Sequence, residues 1–195
     1  MTFSYSIQAP RIKRLLEILS AGNPHFSGVL AAAARNVRIL VSRHIERLGA
    51  TRHRTASSLG AEPTGHYERA AADVTDAVEG RSAVVVIPIA GFSRAFHDLT
   101  IRPKNAKALT IPIAAEAYGT SVREMRSAGW TIFRPKKSKS LWGSRDGVLG
   151  ALPLYALVSS VRQPQDRTLL PGDEELGAAA EDGAQMYISA IARSA

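Results

Sequence analysis

The chain has no cysteine, which excludes a disulfide framework, a thiolate metal site and a cysteine nucleophile. Aromatic residues are scarce as well, 6% of 195, and alanine carries much of the 45% apolar content. A core of that kind favours helices packed closely through small side chains. Long hydrophobic runs are missing: "AVVVIPIAG" falls far short of the roughly 20 apolar residues that cross a bilayer. The opening stretch, "MTFSYSIQAPRIKRLLEILSAG", sets basic residues beside a broken apolar pattern without an export-signal core, and is expected to be a mature, unexported end. A phosphate-cradling glycine loop is also lacking. "GVLGALP" has neither the lysine nor the helix context of a P-loop, which disfavours a nucleotide enzyme.

The side chains that usually carry catalysis are present but not in catalytic patterns. His25, His44, His53, His66 and His97 have no zinc-site spacing, and His44 falls on the apolar stripe of a predicted helix, where a structural role is expected. Ser93, His97 and Asp98 are near one another in sequence, yet no nucleophile elbow surrounds the serine. Carboxylate pairs such as Asp73 with Asp76 and Glu174 with Glu175 read as solvated helix surface. No catalytic residue, cofactor or metal is therefore expected, and the chain is read as a non-enzyme.

Charge is what the sequence has in excess and in pattern. Lysine and arginine number 25 against 17 acidic residues, a net +8, which can favour contact with polyanions. Residues 1–60 hold nine basic and two acidic side chains, and residues 101–145 hold ten and two. By contrast, residues 61–100 hold three and six, and residues 146–195 three and seven. A basic 1–60 block and an acidic 146–195 block could pair between neighbouring copies or within one copy.

Hydrophobic periodicity orders the chain. Ile12, Leu15, Leu16 and Leu19 predict a short amphipathic helix within an N-terminal segment, residues 1–25. Phe26, Leu30, Ala33, Val37, Leu40, Val41, His44 and Leu48 make one long helical stripe, ended by Gly49, with Arg35, Arg38, Arg43 and Arg47 largely outside it. Residues 50–65, containing "RHRTASSLG", are expected to be a mobile basic loop. Tyr67, Ala70, Ala71, Val74 and Val78 predict a third helix from about His66 to Val78. The pattern then turns to strands: "SAVVVIPI", a hairpin of "DLTIRP" and "ALTIPI" around "KNAK", and a second of "WTIFRP" and "SLWGS" around "KKSK". "AAEAYGTSVREMRSAG" is expected to form an irregular turn or short helix, and "VLGALPLYALVSSV" a strand in which Pro153 marks an edge or a bend. A final helix runs from Asp173 through Leu176, Ala180, Ala184, Tyr187, Ile188 and Ile191, its acidic start suited to the positive helix end. A single domain over residues 1–195 is the simplest organisation.

In order of elements and in three phrases, "AFHDLTIRPKNAKALTIPIAAEAYG", "WTIFRPKKSKSLWG" and "PLYALVSSVRQPQDRTLLP", the chain resembles the tail completion and virion morphogenesis proteins of long-tailed bacteriophages, the minor tail protein Z-like head-tail connectors. The resemblance covers roughly residues 26–193. It implies an α+β fold, an antiparallel β-sheet packed against N-terminal helices and a C-terminal helix. It also implies a structural neck component without cofactor, located in the virion at the head-tail junction and in the host cytoplasm during assembly. Its partners would be further copies of itself in a ring, a hexamer being one candidate size, and the adjacent tail and head-completion proteins, with genomic DNA in the lumen and no membrane. Arg52, Arg54, Lys104, Lys107, Lys136, Lys137 and Lys139 are the residues expected to meet the lumen, the DNA or a partner. The alternative is a nucleic-acid-binding module that uses its basic loops outside any virion, and a hydrolase with an unrecognised site is a weaker third reading.

Overall fold

The computed structural model describes residues 25–52, 54–88, 97–147 and 150–194; the short amphipathic helix expected at Ile12 to Leu19 lies outside them, as does Ser93. The elements in chain order are α1 Phe26–Thr51, α2 Arg54–Leu59, α3 His66–Ala72, β1 Thr75–Glu79, β2 Ser82–Val86, β3 Leu99–Ile101, β4 Leu109–Pro112, a 3-10 turn Ala115–Ala117, α4 Val122–Ser127, β5 Thr131–Phe133, β6 Ser140–Ser144, β7 Leu152–Val158, β8 Val161–Gln163 and α5 Asp173–Ser194. All strand pairings are antiparallel, and the fold is α+β, with helices at both ends of the described chain. It divides into two compact units: a helical unit, from Met1–Ala50, His66–Phe96 and Asp166–Ala195, and a sheet unit, from Thr51–Gly65 and His97–Gln165.

In the helical unit, the long stripe of α1 does what its spacing predicts. Ala33, Val37, Val41 and Ile45 are buried against Ala70 and Ala71 of α3, Val74, Leu169, and Leu176 and Ala180 of α5. His44 is held structurally, its Nε2 lying 3.0 Å from the Thr168 carbonyl. Arg38, outside the stripe, pairs with Asp76 at 2.7 Å. Gly49 does not end α1. The helix runs on to Thr51 with Gly49 buried, because a Cβ there would lie 3.1 Å from that of Tyr67 and the packing of α3, not helix termination, uses the missing side chain.

Helices α1 and α5 approach at backbone distance. A Cβ built on Gly183 would lie 2.4 Å from the Ala32 carbonyl oxygen, and one on Gly28 would lie 2.1 Å from the Tyr187 hydroxyl. Residues 28 and 32 on α1 face 187 and 183 on α5, one turn apart and in opposite order, so the two helices run antiparallel with a fixed register.

Two predicted elements differ here. The third helix stops at Ala72, and Val78 lies on β1, which forms a hairpin with β2 in which Glu79 faces Ser82. Gly80, at φ 61, opens the two-residue turn, a glycine-first pattern that favours a tight hairpin. Residues 50–65 are not simply a loop: α2 occupies their middle with Ala56 buried. Two apolar side chains, Ala56 and Leu59, among polar ones gave the periodicity too little to register.

The sheet unit has a four-stranded sheet in the order β4-β7-β6-β5, and a separate pair, β3-β8. The "KKSK" hairpin forms as expected, Phe133 facing Trp142 and Thr131 facing Ser144. The "KNAK" hairpin does not. β3 pairs with β8, Ile101 facing Val161, and β4 with β7, Leu109 facing Val158. Residues 99–112 thus run beside 155–163 as one interrupted ribbon, in which seven residues, 102–108, lie opposite two, Ser159 and Ser160. "KNAK" has no glycine and no dipeptide suited to a tight reversal, so the flanking strands take the long-range partners. Pro153 sits where β6 and β7 change register. Leu141 faces Tyr155 and Trp142 faces Pro153, so Leu154 is an extra residue on β7; the bend, not the edge, is realised, since β7 is interior. Leu154 and Tyr155 are buried with Ala117, Met125, Trp130 and Ile132.

The backbone contact at Gly183 sets a prediction. Gly183→Ala gains about 1 kcal/mol of helix propensity, but the methyl meets a backbone carbonyl that cannot rotate away, and overpacking costs about 1–3 kcal/mol. Thermal unfolding should show a lower midpoint for the variant. An unchanged or raised midpoint would show that α1 and α5 do not meet at this register.

Candidate functional site

The seven basic residues singled out by sequence all belong to the sheet unit, and they separate into two groups. Lys104 and Lys107 are exposed in the loop that leads into β4, while Lys136, Lys137 and Lys139 are exposed in the turn that leads into β6. These loops are at one end of the sheet. β4 starts opposite Val158 and β6 starts opposite Ala156, both at the end of β7, which lies between them. With two strand spacings between them, the loop roots are about 10 Å apart. Five ammonium groups that look like two separate tips in sequence therefore share one edge of the unit.

The β6 loop is built rather than slack. Ser138 donates its backbone N–H to the Pro135 carbonyl at 3.0 Å, and Leu157 donates to the Lys139 carbonyl at 2.7 Å. Arg134 Nε donates to the Ser138 carbonyl at 2.8 Å, and the Trp142 indole to Ser140 Oγ at 3.0 Å. At the crest, Lys137 holds φ 63, the one left-handed non-glycine among the described residues. A lysine stands there although the conformation costs a non-glycine residue about 1 kcal/mol.

Arg52 and Arg54 form the second group. With Thr51, Thr55 and Tyr118 they line a cleft of about 400 Å³. Arg52 and Tyr118 are half-buried; Thr51, Arg54 and Thr55 are exposed. Tyr118 is placed by its neighbours. Gly119 takes φ 73, and a Cβ on it would lie 2.7 Å from Thr64 Cγ2. The next residue, Thr120, accepts a hydrogen bond through its carbonyl from the Tyr155 hydroxyl at 2.8 Å. Burial, reinforced by the negative Glu124, pushes the Tyr155 phenol above its ordinary range. Glu124 itself caps α4: its carboxylate accepts from the Ser121 N–H at 2.7 Å and the Ser121 hydroxyl accepts from its N–H. These bonds hold its carboxyl below the usual range. The sequence offered Arg52 and Arg54 as basic residues but gave no sign of Tyr118, which lies 64 positions beyond Arg54 and whose signal is only the Tyr-Gly pair of a turn.

Elsewhere Asp98 is engaged structurally, accepting from the Gln165 N–H at 3.2 Å and from Arg162 at 3.4 Å. Among the described residues no three His, Asp or Glu side chains converge to hold a metal, and no helix is long and apolar enough to cross a membrane. Comparison of the chain with protein-family profiles, characterised proteins and solved structures returns no match.

The backbone at the lysine turn yields a paired prediction. Lys137→Gly relieves a left-handed side chain and should cost nothing or stabilise slightly. Lys136→Gly, at a residue without positive φ, should cost about 0.5–1 kcal/mol through unfolded-state entropy. Chemical denaturation of the two variants side by side decides it, and a Lys137→Gly protein weaker than Lys136→Gly would overturn the left-handed turn.

Proposed function

We propose that the chain is a structural, non-catalytic neck component of a long-tailed bacteriophage, of the tail completion or head-tail connector kind, that assembles into a homo-oligomeric ring with its cationic unit towards the DNA. The observation that carries this reading is the partition of charge. The stretches that make up the sheet unit hold thirteen basic and five acidic residues, whereas those of the helical unit hold twelve of each. The whole surplus of +8 therefore falls on one unit, and five of its lysines share one end of one sheet. A subunit with one neutral and one strongly cationic part is suited to packing against protein with the first and facing a polyanion with the second.

The same partition changes the expected basis of assembly. The bulk of the basic 1–60 block and of the acidic 146–195 block falls within the helical unit, where their charges are balanced, so neither leaves a net surplus for a neighbouring copy. The sheet edges are better suited to that contact. β4 and β5 are the outer strands, each with exposed apolar side chains, Ile111 and Phe133 respectively. Two different open edges on one subunit fit a head-to-tail contact, which closes into a ring when repeated by rotation.

The second reading, a nucleic-acid-binding module outside a virion, draws on the same cationic unit and differs in assembly. Electron microscopy and light scattering of the purified chain, alone and with tails, separate them. Rings that persist as salt is raised are expected, and Phe133→Lys should give folded monomers. A wild type that stays monomeric at every concentration with tails present, or rings of unchanged mass in Phe133→Lys, would sink the edge-to-edge ring.

A further inference from the structure

We infer that the cleft of Thr51, Arg52, Arg54, Thr55 and Tyr118 is a binding site for the phosphodiester backbone of DNA, distinct from the lysine edge of the same unit. The inference rests on the reading that the sheet unit meets a polyanion. It adds where a phosphate is gripped and by which groups.

The lining is made of donors. Two arginines, two threonines and one tyrosine line about 400 Å³, and no carboxylate is among the described lining side chains. An arginine fork matches the geometry of two phosphate oxygens, and hydroxyls and phenols supply the remaining donors typical of backbone contacts. The phenol ring offers a flat surface on which a sugar or base can rest, a pairing usual where a backbone-tracking groove holds a strand.

Helix stability accounts for only part of this arrangement. Arg52 follows the last residue of the 26-residue α1, where a cation is favoured in any protein. It gives no reason for Arg54 and Thr55 to share a cleft with Tyr118, which comes from the far side of the β4 segment. The turn that brings Tyr118 there is fixed at Gly119, where positive φ and the Thr64 methyl both exclude a side chain, and at Thr120 through Tyr155. A cleft whose walls come from two distant stretches of chain, held by contacts outside the cleft, is a preorganised site. Its surroundings add to the attraction, because the unit that holds it carries the entire net charge.

The phosphodiester source is favoured over an acidic protein surface by the donor set. Arginine with several hydroxyl donors suits the tetrahedral array of phosphate oxygens, while a carboxylate surface is met as well by the lysines of the other edge. Of phosphate sources, a nucleic-acid strand uses the ring and the cleft's open side, and inorganic phosphate uses neither.

The test is fluorescence anisotropy of the full chain with a labelled single-stranded DNA 12-mer and the corresponding duplex, over a salt series, with inorganic phosphate and polyglutamate as competitors. Arg52→Gln with Arg54→Gln should weaken binding about 10- to 100-fold and lower the salt slope by about 0.7 for each single-strand phosphate lost. Arg52→Lys with Arg54→Lys should keep the slope and lose part of the affinity, since charge remains and the fork does not. Should the glutamine variant fail to fold, the wild type serves: the 12-mer should protect Arg52 and Arg54 from phenylglyoxal, read by peptide mass spectrometry, and polyglutamate should not. Unchanged affinity and slope in a folded glutamine variant, no protection, or equal protection by polyglutamate would overturn the cleft. If neutralising the five lysines abolishes binding while the arginine variant binds normally, the cleft fails and the cationic-unit reading stands. A wild type that binds neither DNA at low salt removes both.

Discussion

The rest of the helical unit depends on how closely α1 and α5 can approach. A chain with no disulfide and few aromatic rings has to obtain its packing energy from many short contacts, and dispersion falls off steeply when a gap opens. Gly183 lets α5 meet the Ala32 carbonyl of α1, and Gly28 leaves room for the Tyr187 ring; beside these contacts Ala33, Ala180 and Leu176 share one buried cluster with Val37, Val41 and Ile45. Because both close approaches lie one turn apart along each helix, they also fix register. Sliding α5 by a single residue would place a Cβ where only hydrogen fits. Leu169 and Val74 complete the same cluster.

The sheet unit solves a different problem, that of holding many like charges on a small structure. Among the described residues no charged side chain is buried, so the unit avoids the desolvation cost that would accompany its thirteen cations. Its core is kept apolar by Leu154, Ile132, Met125 and Trp130. Its basic side chains lie on loops, at the cleft rim, on α4 (Arg123 and Arg126) and on β8 (Arg162), and none is buried. Fixing those loops is left to backbone hydrogen bonds, as at Pro135 to Ser138, and to the Tyr155 hydroxyl, none of which requires pairing a cation with an acid.

What was legible in the sequence follows from how local each signal is. The α1 stripe, the α5 stripe and the β5-β6 hairpin were readable because their partners are near in sequence or their periodicity is long. Small-residue helix packing was readable from composition alone. The "KNAK" strands were misassigned because a strand's pattern states which face is buried, not which strand lies beside it. β8, three residues long, had no pattern to offer as the true partner of β3. The site was half legible. The basic residues were named, but their grouping depends on β7 passing between two loops and on a turn at Gly119, both of which are long-range facts. Val78 illustrates the remaining kind of error. It continues a helical spacing from Val74, and only the turn at Gly80 reveals a strand.

Charge partition has a consequence that the uniform value of +8 conceals. At physiological ionic strength, fields decay over about 8 Å, so what matters to an approaching polyanion is the charge within roughly that distance of its landing point. A charge landing midway between two loop roots about 10 Å apart lies about 5 Å from each and is within reach of both sets of lysines, whereas the same residues scattered over the chain would act singly. The twelve-to-twelve balance of the helical unit contributes no opposing long-range field. The hydrogen-bonded turn at Lys137 fixes the backbone positions from which its lysines project. A cationic surface can therefore be strong while the chain as a whole is only modestly basic. The physical requirements are segregation of charge between units, which the placement of charged residues along the chain provides, and grouping of the lysine loops, which follows from β7 lying between β4 and β6.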